Sequence, residues 1–171
     1  MRGARILIAG IGNIFYGDDA FGVEVAKRLS MRDWPAGVTA RDFGIRGMDL
    51  GYALLENYDA VILIDATRRA GAPGTLYIIE PNMDELVSRN SQELLVETHS
   101  MIPEKVLGWA QAMGARLPNV RVVGCEPATL GSEDDMLMGL SEPVQAAVDE
   151  AVRIVEQLVD EILEPGYKLV M

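Results

Sequence analysis

Hydrophobic and polar positions along this chain follow two alternating patterns, typical of buried strands and of amphipathic helices. Short apolar runs predict five strands: Arg5–Ala9, Val38–Phe43, Ala60–Asp65, Thr75–Glu80 and Val120–Gly124. Helical spacing predicts five helices: Asp19–Ser30, Met48–Glu56, Met83–Leu86, Pro103–Met113 and Pro143–Leu163. Such alternation predicts an α/β fold, in which a parallel or mixed sheet has helices on both faces.

The last of these stretches, Pro143–Leu163, carries the clearest helix signal. Ser141 stands where an N-cap is expected, and proline at position 143 suits the first turn. The apolar positions then form one continuous stripe: Val144, Ala147, Val148, Ala151, Val152, Val155, Leu158 and Val159.

Two segments depart from the alternation. A turn over residues 70–74 leaves no room for a crossover helix between Asp65 and Thr75–Glu80, so we expect that strand to pair antiparallel at the sheet edge. Residues 125–142 form the longest irregular stretch. Either a functional lid or a solvated loop fits this stretch.

Length and composition favour one cytoplasmic domain. The 171 residues match the usual size of a domain, which we expect to span residues 1–171. Cys125 is the only cysteine, which excludes an intrachain disulfide and a thiolate zinc knuckle and fits a reducing compartment. No apolar run approaches the ~20 residues of a membrane span, and the first run is too short for a signal peptide.

The charge of the chain excludes two classes of partner. A formal net charge of −11 argues against binding to a nucleic-acid backbone or to an anionic membrane. A protein partner with a basic tail stays compatible with it. We expect a monomer, because the alternation of strands and helices can support one, and the oligomeric state stays open.

The most informative motif follows the first predicted strand. It reads Gly10-Ile11-Gly12-Asn13, then Gly17-Asp18-Asp19-Ala20-Phe21-Gly22. Open α/β sheets build their sites at the carboxyl ends of strands, where this motif lies. A dinucleotide fingerprint needs a third glycine at position 15, which is Phe15, and the two carboxylates would repel phosphate. Carboxylates near a helix N-terminus are also favoured for purely structural reasons.

Two further residues carry candidate chemistry. Asp65 ends the strongly apolar run 61–64, where a partly desolvated carboxylate needs either a functional role or a turn to cap. His99, the only histidine, lies just before the predicted helix Pro103–Met113. Together with a carboxylate of the first motif, these residues make an O,O,N set that suits a divalent ion with open coordination positions. No G-x-S-x-G elbow competes with it.

These motifs resemble, over nearly the whole chain, those of the nickel–iron hydrogenase maturation proteases. The opening motif is the most specific match. Weaker matches follow in the family's order: Asp65-Ala66-Thr67, Ala72-Pro73-Gly74-Thr75, Thr98-His99-Ser100, Gly124-Cys125-Glu126-Pro127 and Gly139–Val144. Asp42 also lies where many members have an aspartate, although Phe43 and Arg46 differ from the commonest pattern.

The resemblance implies a three-layer α/β/α sandwich around a twisted, mostly parallel five-stranded sheet with one antiparallel edge strand. It implies an aspartyl-type endopeptidase that removes the C-terminal extension of a hydrogenase large-subunit precursor after nickel insertion. Asp19, Asp65 and His99 would be both the catalytic and the metal-contacting residues. The precursor would present the nickel, and no permanently bound organic cofactor is expected. The choice between Asp18 and Asp19 stays open.

Two alternative functions stay open as well. A non-catalytic scaffold or metallochaperone on the same fold would bind the precursor and leave its extension intact. A flavodoxin-like binder of nucleotides or other small molecules would need a phosphate cradle, against which the carboxylates after Gly12 argue.

Overall fold

The structure, a computed structural model, describes residues 3–87 and 102–166. Its strands are β1 (Ile6–Ile11), β2 (Val38–Gly44), β3 (Ala60–Ala66), β4 (Leu76–Ile79) and β5 (Val120–Cys125). The helices of the described part are α1 (Phe21–Ser30), α2 (Gly47–Leu54), α3 (Met83–Val87), α4 (Pro103–Ala112) and α5 (Glu142–Leu163). None of these helices is long and apolar enough to cross a membrane.

The sheet has the strand order β2-β1-β3-β5-β4 within the described residues. β1 pairs in parallel with β2 and β3, and β3 pairs in parallel with β5. β4 pairs antiparallel with β5 at the edge, which confirms the predicted edge strand. The chain moves from β1 to one side for β2 and then crosses to the other side for β3. The carboxyl ends of β1 and β3 therefore form the switch point at which open α/β sheets bind ligands.

Alternating side chains of the central strands enter two separate apolar cores. Ile6 and Ile8 of β1 belong to the core that includes residues of α1 and α5. Leu7 and Ala9 belong to the core on the opposite face, which includes residues of α2 and α4. Burial on both faces explains why these parallel strands read as continuous apolar runs. The expected three-layer arrangement is confirmed.

Helix α1 lies directly behind the switch point because a glycine lets it approach the sheet. A Cβ atom at Gly22 would lie 2.1 Å from the carbonyl oxygen of Ile64 and 2.2 Å from that of Ile11. Real Cβ atoms never come this close to a carbonyl oxygen. The last glycine of the opening motif is therefore explained by helix–sheet packing.

Candidate functional site

The turn after β1 is folded so that Asp19 lies at the carboxyl end of the strand. Gly12 has a φ of +149°, and a Cβ atom there would lie 1.8 Å from the carbonyl oxygen of Asp19. The Asn13 side chain accepts a hydrogen bond of 2.9 Å from the Phe15 N–H. The Asn13 N–H in turn donates to the Asp19 carboxylate at 2.8 Å. The predicted helix start at Asp19 is a short 3₁₀ turn, Asp18–Ala20, followed by α1.

The two adjacent aspartates have different environments. Asp18 is fully buried, and its carboxylate accepts hydrogen bonds from the N–H groups of Ala128, Thr129 and Ser141 and from the Ser141 hydroxyl, at 2.7–2.9 Å. Burial acts to raise the pKa of Asp18, but these four hydrogen bonds together lower it below its ordinary value. Its oxygens are engaged by protein donors. This leaves Asp19, rather than Asp18, as the candidate ligand.

Hydrogen bonds to Asp18 also fix the position of the irregular segment 126–141, which we call the 126–141 loop. Its donors lie near both ends of this loop. Backbone hydrogen bonds add further attachments to the turn after β1, from Gly17 N–H to the Leu137 carbonyl and from Leu137 N–H to the Phe15 carbonyl, both 2.8 Å. The loop is therefore hydrogen-bonded to the turn that carries Asp19. Ser141 occupies the predicted N-cap position of α5, but its hydroxyl bonds to Asp18 and makes no cap hydrogen bond.

Asp65, the penultimate residue of β3, reaches the same edge of the sheet. Burial raises its pKa well above the ordinary value, and the negative charge of Asp19 raises it further. One hydrogen bond from the Ala66 N–H acts in the opposite direction, while Glu104 in the first turn of α4 again raises the pKa. Burial likewise raises the pKa of Asp19. The negative charges of Asp19 and Asp65 thus interact at this edge of the sheet, where the neighbouring strands β1 and β3 end.

A pair of interacting, desolvated carboxylates can do two things chemically. It can share a proton, so that one group acts as an acid and the other as a base. It can also bind a cation, which relieves the repulsion between the two negative charges. Carboxylate oxygens are accepted by many divalent ions, and two of them leave most coordination positions open for other ligands.

His99, the third predicted site residue, lies outside the described residues. Its position relative to Asp19 and Asp65 stays a prediction. Within residues 3–87 and 102–166, no group of three or more His, Cys, Asp or Glu side chains is arranged to hold a metal ion. The described part of the candidate site consists of two carboxylates, which alone do not make a closed metal centre.

An open cleft of about 520 Å³ leads away from Asp65. One wall comes from the chain directly after β3, including Thr67, Arg68 and Arg69. The cleft is also lined by residues of the α3 region and of the start of α4, among them Glu85, Leu86, Ile102, Pro103 and Glu104. A cleft of this size is within the range of ligand sites in proteins. It offers a path by which an extended chain can reach Asp65.

Glu126, directly after β5, is another buried carboxylate, which the sequence indicated only as part of the motif Gly124-Cys125-Glu126-Pro127. It accepts hydrogen bonds from the Arg69 N–H at 2.7 Å and from the Tyr77 hydroxyl at 3.0 Å. The hydrogen bond from Arg69 is the main reason that the pKa of Glu126 is lowered. This residue holds the segment that follows Asp65. The available signal was the same as for Asp65, a carboxylate directly after a buried strand.

Asp42 at the end of β2 has a structural role. Its carboxylate accepts a hydrogen bond of 2.8 Å from the Gly44 N–H, where the chain turns with a φ of +54°. The carbonyl of Gly44 in turn accepts a hydrogen bond of 3.0 Å from the Gly12 N–H. Asp42 therefore supports the turn that adjoins the site.

Comparison with known proteins settles the family. The family model described as HycI, hydrogenase maturation protease, matches residues 23–158, most of the chain. This chain belongs to the hydrogenase maturation protease family. The hydrogenase expression/formation protein HoxM of Azotobacter vinelandii is 33% identical over 155 residues, which cover 90% of this chain and 72% of HoxM.

Solved structures of this family agree with the fold. The hydrogenase 2 maturation peptidase from Thaumarchaeota archaeon SCGC_AB-539-E09 is 34% identical, with a TM-score of 0.66 and coverage of 91% of this chain and 97% of that one. The hydrogenase maturating endopeptidase HybD from Escherichia coli is 28% identical, with a TM-score of 0.70 and coverage of 92% and 93%. Family membership supports protease activity for this maturation protease.

Proposed function

We propose that this maturation protease is an endopeptidase that removes the C-terminal extension of a nickel–iron hydrogenase large-subunit precursor after nickel insertion. In this proposal Asp19, Asp65 and His99 contact the nickel, which belongs to the substrate. The precursor supplies the remaining ligands, so the protease needs no resident metal of its own. The observation that carries the proposal is the interaction at the switch point between the charges of Asp19, in the turn after β1, and Asp65, near the end of the neighbouring strand β3.

The chemistry of the described residues fits a cation that is presented transiently. The two carboxylates raise the free energy of the empty site, because burial and mutual repulsion both disfavour their charges. A divalent ion between them would relieve that cost. Two oxygen ligands alone would hold the ion weakly, which suits a metal that leaves with the processed subunit.

Chain connectivity supports the assignment of His99. Ile102 lines the cleft that leads to Asp65, and only two residues separate it from His99. On this chain connectivity we assign His99 to the same cleft. The histidine would then complete the O,O,N set expected from the sequence.

The residues of the protease have three tasks in the proposed cleavage. The cleft, which Asp65 lines, would hold the extension of the precursor. One of its peptide bonds would then be placed beside Asp65 and the neighbouring Asp19. Nickel in the precursor, when bound, orients the extension and polarises the scissile carbonyl. One carboxylate of the pair then accepts a proton from the attacking water, and that proton passes to the amine that leaves. No covalent intermediate with the protease is required.

Nickel dependence provides the experiment for this proposal. Nickel-loaded and nickel-free precursor are incubated with the protease, and the loss of the extension is followed by intact-protein mass spectrometry. We expect the nickel-loaded precursor to be shortened at least about 100-fold faster, because the nickel orients the reacting bond. His99→Ala is expected to slow the loss by a similar factor.

The possible outcomes separate the proposal from its alternatives. Equal cleavage of both precursors would show that nickel is not recognised. A precursor that binds and stays intact would favour the scaffold or metallochaperone function. Full activity of His99→Ala would remove that histidine from the site.

A further inference from the structure

Next to the candidate site lies a group of exposed apolar side chains, which we call the loop patch. It consists of Ile14, Phe15, Leu130, Met136 and Met138. The exposed fractions of Phe15, Met136 and Met138 are 46%, 62% and 71%. Single exposed apolar residues are ordinary on protein surfaces, whereas several large exposed apolar side chains close together are typical of an interaction site.

The five side chains belong to two segments that are hydrogen-bonded to one another. Leu137 forms an isolated parallel bridge with Tyr16, and Leu130 forms an antiparallel bridge with Gly17. Met136 and Met138 flank Leu137 in the loop. Leu137 is partly buried near Gly17, which leaves Met136 and Met138 facing outward. Ile14 and Met138 line the same surface depression.

Tight local structure holds the loop patch in place. Backbone hydrogen bonds join Gly131 to Tyr16 and Leu137 to Phe15, at 3.0 and 2.8 Å. The buried Asp18 carboxylate fixes the two ends of the 126–141 loop. Because the backbone is already ordered, a partner that covers these side chains pays little conformational entropy.

A strongly acidic tip lies within the same loop. Ser132 and Asp135 close a short turn by paired backbone hydrogen bonds, and the turn presents the exposed side chains of Glu133, Asp134 and Asp135. None of these three carboxylates forms an ion pair with any residue in the ranges 3–87 and 102–166. The loop patch is thus bordered by negative charge with which no described residue forms an ion pair, and such charge favours a positively charged partner surface.

We propose that the loop patch and its acidic tip form the surface on which the folded body of the precursor docks. The matching surface of the precursor is an apolar area bordered by lysine and arginine side chains. This inference rests on the proposed function, and it adds a recognition element outside the cleft. The patch begins at Ile14, next to Asn13, whose N–H binds Asp19. A precursor docked there would have its extension beside the two carboxylates.

The test compares two double variants of matched chemistry. Met136→Ser/Met138→Ser removes the most exposed part of the loop patch. Met31→Ser/Met113→Ser is the control, because these methionines are 86% and 57% exposed and follow the ends of α1 and α4. Both helices end near the amino ends of the parallel strands, because each is followed by the start of such a strand. The candidate site lies at the other end of the sheet, at the carboxyl ends of the strands. The probe is the nickel-loaded large-subunit precursor from the same organism, measured by bio-layer interferometry and by loss of its extension.

We expect the Met136→Ser/Met138→Ser variant to raise Kd and KM about 10-fold or more, with kcat at saturating precursor within about 2-fold of the wild type. The control double variant is expected to stay within about 2-fold in all three quantities. Glu133→Gln/Asp134→Asn/Asp135→Asn should slow association and weaken its dependence on salt. Asp160→Asn/Glu161→Gln/Glu164→Gln, an equal charge change near the end of α5, should not.

The outcomes distinguish this inference from the proposed function. Unchanged Kd and KM in the Met136→Ser/Met138→Ser variant, together with normal removal of the extension, would overturn the docking surface alone. A precursor that binds through the loop patch and stays intact would support the surface and overturn the endopeptidase. A wild-type dimer that dissociates in the Met136→Ser/Met138→Ser variant, seen by sedimentation, would assign the patch to a second copy instead.

Discussion

Replacing Asp18 by asparagine is expected to lower the free energy of unfolding by about 3 kcal/mol. The asparagine side chain keeps one oxygen that can accept a hydrogen bond, but it carries no charge. Its NH2 group replaces the other oxygen and is a donor, so it cannot accept from the buried N–H groups that face it. Buried donors left without an acceptor cost about 1–3 kcal/mol each. The hydrogen bonds at risk are those from Ala128, Thr129 and Ser141. Urea unfolding of the wild type and the variant measures the difference.

The adjacent Asp19→Asn variant is the matched control. Among the described residues, the Asp19 carboxylate accepts one hydrogen bond, from the Asn13 N–H, and burial raises the pKa of Asp19. Loss of its charge removes a desolvation cost, so we expect no loss of stability. The two variants differ by one position and by the same chemical change. If both variants were destabilised equally, this would contradict the conclusion that the hydrogen bonds of Asp18 hold the 126–141 loop in place.

The stabilising effect of Asp18 has a defined pH dependence. Its pKa in the folded protein lies below the ordinary aspartate value of 3.8. A carboxyl with a lowered folded pKa contributes stability that is fully present above its unfolded pKa and lost as the pH falls through the folded value. The gap between the wild type and Asp18→Asn should therefore stay constant at neutral pH and close only in strongly acidic solution.

Replacing Asp65 by asparagine is expected to reduce removal of the extension at least about 1,000-fold and to make the protein more stable. In the proposed mechanism, activity falls because the variant lacks one of the two charges assigned to contact the nickel and to move the proton. Stability rises because the buried carboxylate, beside Asp19, is costly when ionised. A gain of about 1 kcal/mol would raise Tm by roughly 2–4 °C in a domain of this size. Stability and function often oppose each other at sites of this kind.

The sign of the pH dependence is opposite to that of Asp18. The folded pKa of Asp65 is raised, so its ionisation costs stability above that pKa, and the cost disappears as the pH falls through it. The stability advantage of Asp65→Asn should therefore shrink as the solution is acidified.

Asp42→Asn is the control for the loss of activity, since its amide oxygen can still accept a hydrogen bond from the Gly44 N–H. A loss of activity in Asp42→Asn equal to that in Asp65→Asn would contradict the special role of Asp65.

The sheet was predictable because its physical cause is local in the sequence. Strands buried on both faces must be apolar throughout, and β1 and β3 are the clearest such runs. The antiparallel edge strand followed from the short connection between Asp65 and Thr75, which excludes a crossover helix. No single segment of the sequence determines the order of the strands in the sheet. It follows from which helices pack on which face, and the sequence alone did not establish it.

The candidate site was predictable only in part, for a related reason. Asp19 and Asp65 stand out because each follows an apolar strand. Asp18 and Glu126 have structural roles instead, which they owe to hydrogen bonds with residues more than 50 positions away. The same distance hid the role of Ser141, whose hydroxyl binds Asp18 instead of capping α5. Burial and long-range hydrogen bonding decide which carboxylate is free to act, and spacing along the chain does not encode them.

In the proposed site, Asp19, Asp65 and His99 converge on a single nickel ion. Anomalous diffraction at the nickel edge, from crystals of the full chain soaked in Ni²⁺, tests it most directly. We predict one strong peak at the carboxyl ends of β1 and β3, about 2.0–2.3 Å from a carboxylate oxygen of each aspartate and from a ring nitrogen of His99. A peak elsewhere, or a His99 ring too far away to coordinate an ion held by the two carboxylates, would contradict the claim.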